Sequence, residues 1–101
     1  MARFTWDVRK DRANRRKHGV SFEAAIRVFS DPCVLFEQDR EVDDESRWQA
    51  VGRAGSAVIL LVAHACVYEE ECDEETIRII SARKATLREQ HAYFAQFHAD
   101  R

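Results

Sequence analysis

Thr76-Ile77-Arg78-Ile79-Ile80-Ser81-Ala82-Arg83-Lys84-Ala85-Thr86-Leu87-Arg88-Glu89 changes its pattern part-way along. Thr76 to Ala82 is rich in β-branched side chains and reads as a strand. On a period of two, Ile77, Ile79 and Ser81 point to one side, and Arg78, Ile80 and Ala82 to the other. Thr86 and Glu89 then make a T-x-x-E capping box, in which each side chain satisfies a backbone N–H that the first helical turn leaves open. A last helix near 86–98 is therefore expected, with Leu87, Phe94 and Phe97 as its anchors.

Upstream of this stretch lie more strands. Ser56 to Ala65 is nearly all apolar and suits a central strand. Arg53-Ala54-Gly55 reads as a tight turn between it and a strand over Arg47 to Gly52, and Cys33 to Glu37 forms another run. Consecutive strands on short loops predict an antiparallel meander of about four strands. Helices precede it. Asp7 caps one over Val8 to His18, which ends at Gly19. That helix has little apolar periodicity and should mostly face water. Ser21 caps a second, near 21–30, with Val20 placed to pack on Ala25. Phe22, Ala25, Ile26 and Phe29 give it an apolar stripe, and Asp31-Pro32 stops it. Phe4 to Trp6 suits a short strand. The fold class is α+β, one domain over 1–101, with two N-terminal helices and one C-terminal helix beside the sheet.

Composition narrows the function classes. Hydrophobic residues make up 46% of the 101-residue chain, too many for a disordered segment. The three cysteines, Cys33, Cys66 and Cys72, include no C-x-x-C pair, which argues against a disulfide scaffold or zinc knuckle. Cys33 and Cys66 read as small buried groups. The apolar run from Ala57 to Ala65 is too short to span a bilayer, the N-terminus has no signal-peptide core, and a reducing cytoplasm fits. A net charge of −2 conceals strong segregation. Residues 1–18 hold Arg3, Arg9, Lys10, Arg12, Arg15, Arg16 and Lys17, and 78–88 hold Arg78, Arg83, Lys84 and Arg88. Acids gather from Glu37 to Glu45 and from Glu69 to Glu75. If the two basic segments meet, they make a phosphate-binding surface.

No metalloprotease, P-loop or dinucleotide motif is present, and no metal ligand set or cofactor is expected. Metal-free RNA cleavage needs a base for the 2′-hydroxyl, cations for the pentavalent phosphate, and an acid for the leaving 5′-oxygen. Arg78, Arg83, Lys84, Lys10 and Lys17 are candidate cations. His18, Glu89 and Tyr93 are candidate proton carriers, although the capping box alone accounts for Glu89 and a half-buried aromatic for Tyr93. Trp48 suits stacking on a base or filling the core. On these grounds alone the chain is an α+β domain with a basic groove.

A family resemblance sharpens this. Asp7-x-x-Lys10-x-x-x-Asn14-x-x-Lys17-His18-Gly19-Val20-Ser21-Phe22-Glu23 resembles the opening of the BrnT toxins. Phe29-x-Asp31-Pro32, Arg47-Trp48 with Gly52, and Arg78 to Thr86 with Glu89 and Tyr93 continue the likeness in order. The resemblance implies a RelE-like fold and a ribonuclease that blocks translation. It also implies a BrnA-like antitoxin with a ribbon-helix-helix region, through which the complex would meet operator DNA. Arg78, Arg83, His18, Tyr93 and Glu89 would be catalytic, and Lys10, Lys17, Lys84, Arg47 and Trp48 would bind RNA. On the first helix Lys10, Asn14 and Lys17 would present two cations and an amide on one face. The acidic stretch after the central strand departs from the family pattern and is expected at the sheet's far edge or against a partner. The alternatives are a non-catalytic protein that binds an antitoxin and regulates its operon, and an RNA-binding module without cleavage.

Overall fold

The computed structural model describes residues 3–43, 45–55, 58–68 and 75–98, without the side chains of Val67 and Tyr68. The acidic run at 69–74, with Cys72, lies outside these residues. The chain order is β1 (Arg3–Thr5), α1 (Val8–His18), α2 (Phe22–Ala25), a 3₁₀ turn (Ile26–Ser30), β2 (Leu35–Val42), β3 (Glu45–Arg53), β4 (Ile59–Tyr68), β5 (Glu75–Lys84), α3 (Leu87–Ala95) and a last 3₁₀ turn (Gln96–His98).

The local signals act as expected. The Asp7 carboxylate accepts the Arg9 N–H at the start of α1, and Gly19 ends it with φ +70°. That left-handed conformation strains any residue with a Cβ. The Ser21 hydroxyl accepts the Ala24 N–H, and Thr86 and Glu89 form both halves of the capping box. The second helix is shorter than 21–30. One α turn tightens at Ile26 into 3₁₀ geometry, whose three-residue repeat puts Phe22, Ala25 and Val28 in the core. Ile26 and Phe29, read from the sequence as part of the stripe, pack only at its margin.

The sheet differs from four antiparallel strands. Among the described residues it has five, in the order β1-β5-β4-β3-β2. β2 to β5 form the meander, and β1 pairs parallel with β5 through Arg3↔Thr76, Phe4↔Ile77 and Thr5↔Arg78, so the sheet is mixed. This pairing joins opposite ends of the chain and involves no hairpin, so no local turn signal announces it.

Beyond Arg78, the exposed edge of β5 is taken over by a side chain. Asn14 of α1, only 7% exposed, accepts the Ala82 N–H at 3.1 Å and donates to the Ala82 and Val20 carbonyls at 2.8 Å each. Its amide thus substitutes for a neighbouring strand. This corrects the reading of Lys10, Asn14 and Lys17 as one polar face, because Asn14 points inward while both lysines are exposed.

β4 and β5 slip register once. Ala63 pairs with Ser81, but His64 pairs with Ile79, leaving Ile80 as an extra residue. The bulge reverses the alternation, so Ala82 joins Ile77 and Ile79 in the core and Ser81 turns away. The strict period-two reading of this strand is therefore wrong after Ile79. The core face carries α1 and α2 over Val20, Phe22, Ala25, Val28, Ala50, Leu60, Val62, Ile77, Ile79 and Ala82. Gly52 permits the close approach of the 3₁₀ turn, since a Cβ there would meet Val28 Cγ1 at 3.0 Å and Asp31 Oδ2 at 3.2 Å.

α3 lies on the opposite face, where Tyr93 packs with Ile59 and Ala85 against Cys33, Leu35 and Val51. The expected anchors are the wrong ones. Leu87 is 73% exposed, and Phe94 and Phe97 lie outside Tyr93, with ring centroids 5.2 and 5.7 Å from its own. The capping box fixes where the helix starts, and the turn that faces the sheet is then the one bearing Tyr93. Cys33 is half-buried and Cys66 is exposed, against the expectation that both are buried. Cys66 follows His64 by two residues on the same face, past the covered part of the sheet.

His64 is 2% exposed, edge-on to Phe29 at 4.9 Å and to Phe36 at 6.0 Å. Burial lowers its pKa below the ordinary 6.5, against the smaller opposing effects of the Val62 carbonyl and Glu75. The unfolded chain therefore takes up this proton at a higher pH than the folded one. Stability from neutral His64 is complete above pH 6.5 and declines as pH falls below it towards the folded pKa. Thermal melts from pH 8 to pH 5 are expected to show that decline, and a His64→Leu variant a flatter profile. Identical profiles would exclude His64 as the source.

Candidate active site

The face opposite α1 and α2 is covered at one end by α3, and arginines gather on it. β3 and β4 bring Arg47 opposite Ala65, and β4 and β5 bring Ala65 opposite Arg78. The two arginines thus flank a buried alanine too small to separate them. Glu45, two residues before Arg47 and on the same face, lies between their guanidinium groups. It is ion-paired with Arg78, and its Oε1 stands 3.9 Å from Arg47 Nε. That Nε is buried and makes no hydrogen bond among the described residues.

Arg83 belongs to the same face because of the bulge. Arg78 and Arg83 are five residues apart, an odd spacing that would put them on opposite sides of a regular strand. With Ile80 extra, both leave the core together. Arg83 pairs with Leu61, four residues along β4 from Ala65, so the two arginine positions are roughly 13 Å apart along the strands. Between them lie Ala63 and Ser81, a floor of small side chains.

Arg83 grips Glu89 with two bonds, Nη1 to Oε1 at 2.7 Å and Nη2 to Oε2 at 2.9 Å. This fork-to-fork pairing lifts the Arg83 pKa and holds the Glu89 carboxyl below the usual range. Glu89 Oε1 also accepts the Thr86 N–H at 2.8 Å, so one carboxylate caps α3 and orients Arg83. Tyr93 is 1% exposed and donates its hydroxyl to Asp31 Oδ2 at 2.6 Å. Burial and this bond raise its pKa. For Asp31, burial acts upward, but the Tyr93 hydroxyl and the Arg53 and Cys33 N–H groups outweigh it and leave the carboxyl low. A small cavity of about 90 Å³ lies under α3, lined by Leu35, Glu37, Gln49, Val51, Leu61, Glu89 and Ala92.

The remaining candidates lie elsewhere. Lys10, Lys17 and His18 line a shallow groove along the outer edge of β5 with Ile80 and Ser81. Lys84, next to Arg83, alternates to the core side and lines a separate pocket with Arg15, Val20 and Leu60. Trp48 pairs with His64 across β3 and β4, on the face opposite Arg47. The sheet thus unites Arg47, Arg78, Arg83 and Glu89, sets Lys10, Lys17 and His18 at its rim, and separates Lys84 and Trp48. Sequence reasoning passed over Glu45, whose period-two relation to Arg47 was the available signal. It read Asp31 as a helix stop and a family-motif residue, but not as the partner of Tyr93. Among the described residues no group of three or more His, Cys, Asp or Glu is arranged to hold a metal ion, and no helix is long and apolar enough to cross a membrane.

A family model described as the ribonuclease toxin BrnT of type II toxin–antitoxin systems matches residues 6–89. The chain belongs to this family. The match runs from just past β1 to the first turn of α3 and so includes Arg47, Arg78, Arg83 and Glu89. Among solved structures, the BrnT ribonuclease toxin of Brucella abortus is similar in fold, with a TM-score of 0.59 and 24% sequence identity. The likeness covers 85% of this chain and 99% of that one. Comparison with curated protein sequences gives no match. As a BrnT family member, the chain is a ribonuclease toxin whose class works with an antitoxin.

Proposed function

We propose that this BrnT family member is an endoribonuclease that cuts RNA without a metal ion, on the sheet face bearing Arg47, Arg78 and Arg83. The observation that carries this reading is the bulge at Ile80, which turns Arg78 and Arg83 to the same side. Three guanidinium groups around a floor of alanine and serine can neutralise the charge that builds on a pentavalent phosphate. Arg78 and Arg83 are the catalytic cations, and Arg47 binds RNA beside them. Lys10, Lys17 and His18 guide the strand past Ser81, with His18 as the proton donor to the leaving oxygen. Glu89 and Tyr93 position these groups, Glu89 by holding Arg83 and Tyr93 by locking α3 to Asp31. Lys84 and Trp48 contact RNA only where it wraps beyond this face.

The same reading assigns a cytoplasmic toxin and a BrnA-like ribbon-helix-helix antitoxin that covers the arginine face. The complex reaches operator DNA only through the antitoxin. The test is incubation of purified, antitoxin-free protein with RNA in EDTA. Cleavage with mapped internal ends is expected. Intact RNA with a gel shift would make the protein an RNA-binding module, and neither result would leave an antitoxin-binding regulator.

A further inference from the structure

We infer that Glu45 is the group that takes the proton from the attacking 2′-hydroxyl, and that phosphate binding releases it for this task. The inference rests on the nuclease reading above. Glu45 is the carboxylate that lies between Arg47 and Arg78, paired with one and 3.9 Å from the other. Two cations around one carboxylate make a site already shaped for an anion. Among the described residues the buried Arg47 Nε makes no hydrogen bond, its nearest acid oxygen being that of Glu45 at 3.9 Å, and leaving such a donor unsatisfied is costly. A phosphate oxygen in reach of Arg47 and Arg78 satisfies it and competes with Glu45 for Arg78. Glu45 then stays within a side chain's length of the phosphate with its pairing to Arg78 opened, so its carboxylate oxygens are free to accept a proton. It accepts the 2′-hydroxyl proton while the 2′-oxygen forms its bond to phosphorus. The P–O5′ bond breaks, its electron pair leaves with the 5′-oxygen, and that oxygen takes a proton from the donor, the role given to His18. The products are a 2′,3′-cyclic phosphate and a free 5′-hydroxyl, with no net change in electrons. Glu89 does not serve here, because its carboxylate is occupied by Arg83 and the Thr86 N–H.

The test compares wild type, Glu45→Gln and Glu45→Asp on one RNA oligonucleotide in EDTA, with melting, RNA affinity and cleavage measured on each. Glu45→Gln is expected to lower the single-turnover cleavage rate by at least about 100-fold. Its RNA affinity should hold or rise, because a competing negative charge is gone. The acidic limb of the pH–rate profile should vanish with it. Glu45→Asp keeps a base but withdraws it by one methylene, so it should retain part of the rate and the acidic limb. Cleavage by Glu45→Gln within about threefold of wild type would overturn the assignment. A faster Glu45→Gln would mean that Glu45 only restrains Arg78. Parallel losses of rate, affinity and melting temperature in both variants would make Glu45 a scaffold for Arg78. A wild type that fails to cut RNA would instead defeat the nuclease reading itself.

Discussion

Replacing Asn14 with leucine is expected to remove about 3–5 kcal/mol of stability, out of about 5–15 kcal/mol for a domain of this kind. Leucine keeps the branched skeleton of asparagine, with somewhat more bulk, but has no polar atoms. The Ala82 N–H and the Ala82 and Val20 carbonyls would each lose their side-chain partner in a buried setting. A buried donor or acceptor left alone costs about 1–3 kcal/mol, and part of that is recovered where water can reach it. Asn14→Asp should also destabilise, since a carboxylate can accept from Ala82 N–H but cannot donate to either carbonyl. Urea unfolding monitored by fluorescence would measure both variants. A loss below about 1 kcal/mol for leucine would mean that the α1–β5 junction is held by packing alone.

Arg78→Ala should do the opposite, leaving the fold nearly intact and abolishing most of the activity. The Arg78 and Glu45 side chains are 38% and 27% exposed, and a pair so open to solvent contributes about 0–1 kcal/mol. Loss of one charge-stabilising donor at a reacting phosphate slows such reactions about 100- to 1,000-fold. RNA affinity should fall less, because Arg47, Arg83 and the lysines of α1 remain. Melting and cleavage must be measured on the same preparation. A clear drop in melting temperature with unchanged cleavage per folded molecule would show that Arg78 serves the sheet and not the chemistry.

These two residues mark the limits of sequence reasoning. Asp7, Gly19, Ser21, Thr86 and Glu89 were legible because each acts on backbone within a few residues of itself. Helix starts and stops followed from them, and so did the α+β class. Asn14 was legible as a polar helix residue but not as a buried one, since its partner Ala82 is 68 residues away. The parallel pairing of β1 with β5 was hidden for the same reason. Arg78 and Arg83 stood out by charge and family likeness, yet strict alternation sent them to opposite faces. Only pairing with β4 reveals that Ile80 is supernumerary. The anchor of α3 was missed because Leu87, Phe94 and Phe97 are all more apolar than Tyr93, whereas the buried position offers Asp31 as a hydroxyl partner.

The insertion of β5 between β1 and β4 also governs when the protein can exist during its own synthesis. Val20, Phe22, Ala25 and Val28 leave the ribosome early, but Ile77, Ile79 and Ala82, which complete their core, come some fifty residues later. At about 5–20 residues per second, that interval lasts roughly 3–10 s. Throughout it the nascent chain has no seat for α1 and lacks both Arg78 and Arg83. A ribosome making this protein therefore carries an unfinished and sticky precursor until β5 has emerged. The ribonuclease toxin can take shape only once Ala82 has cleared the ribosome.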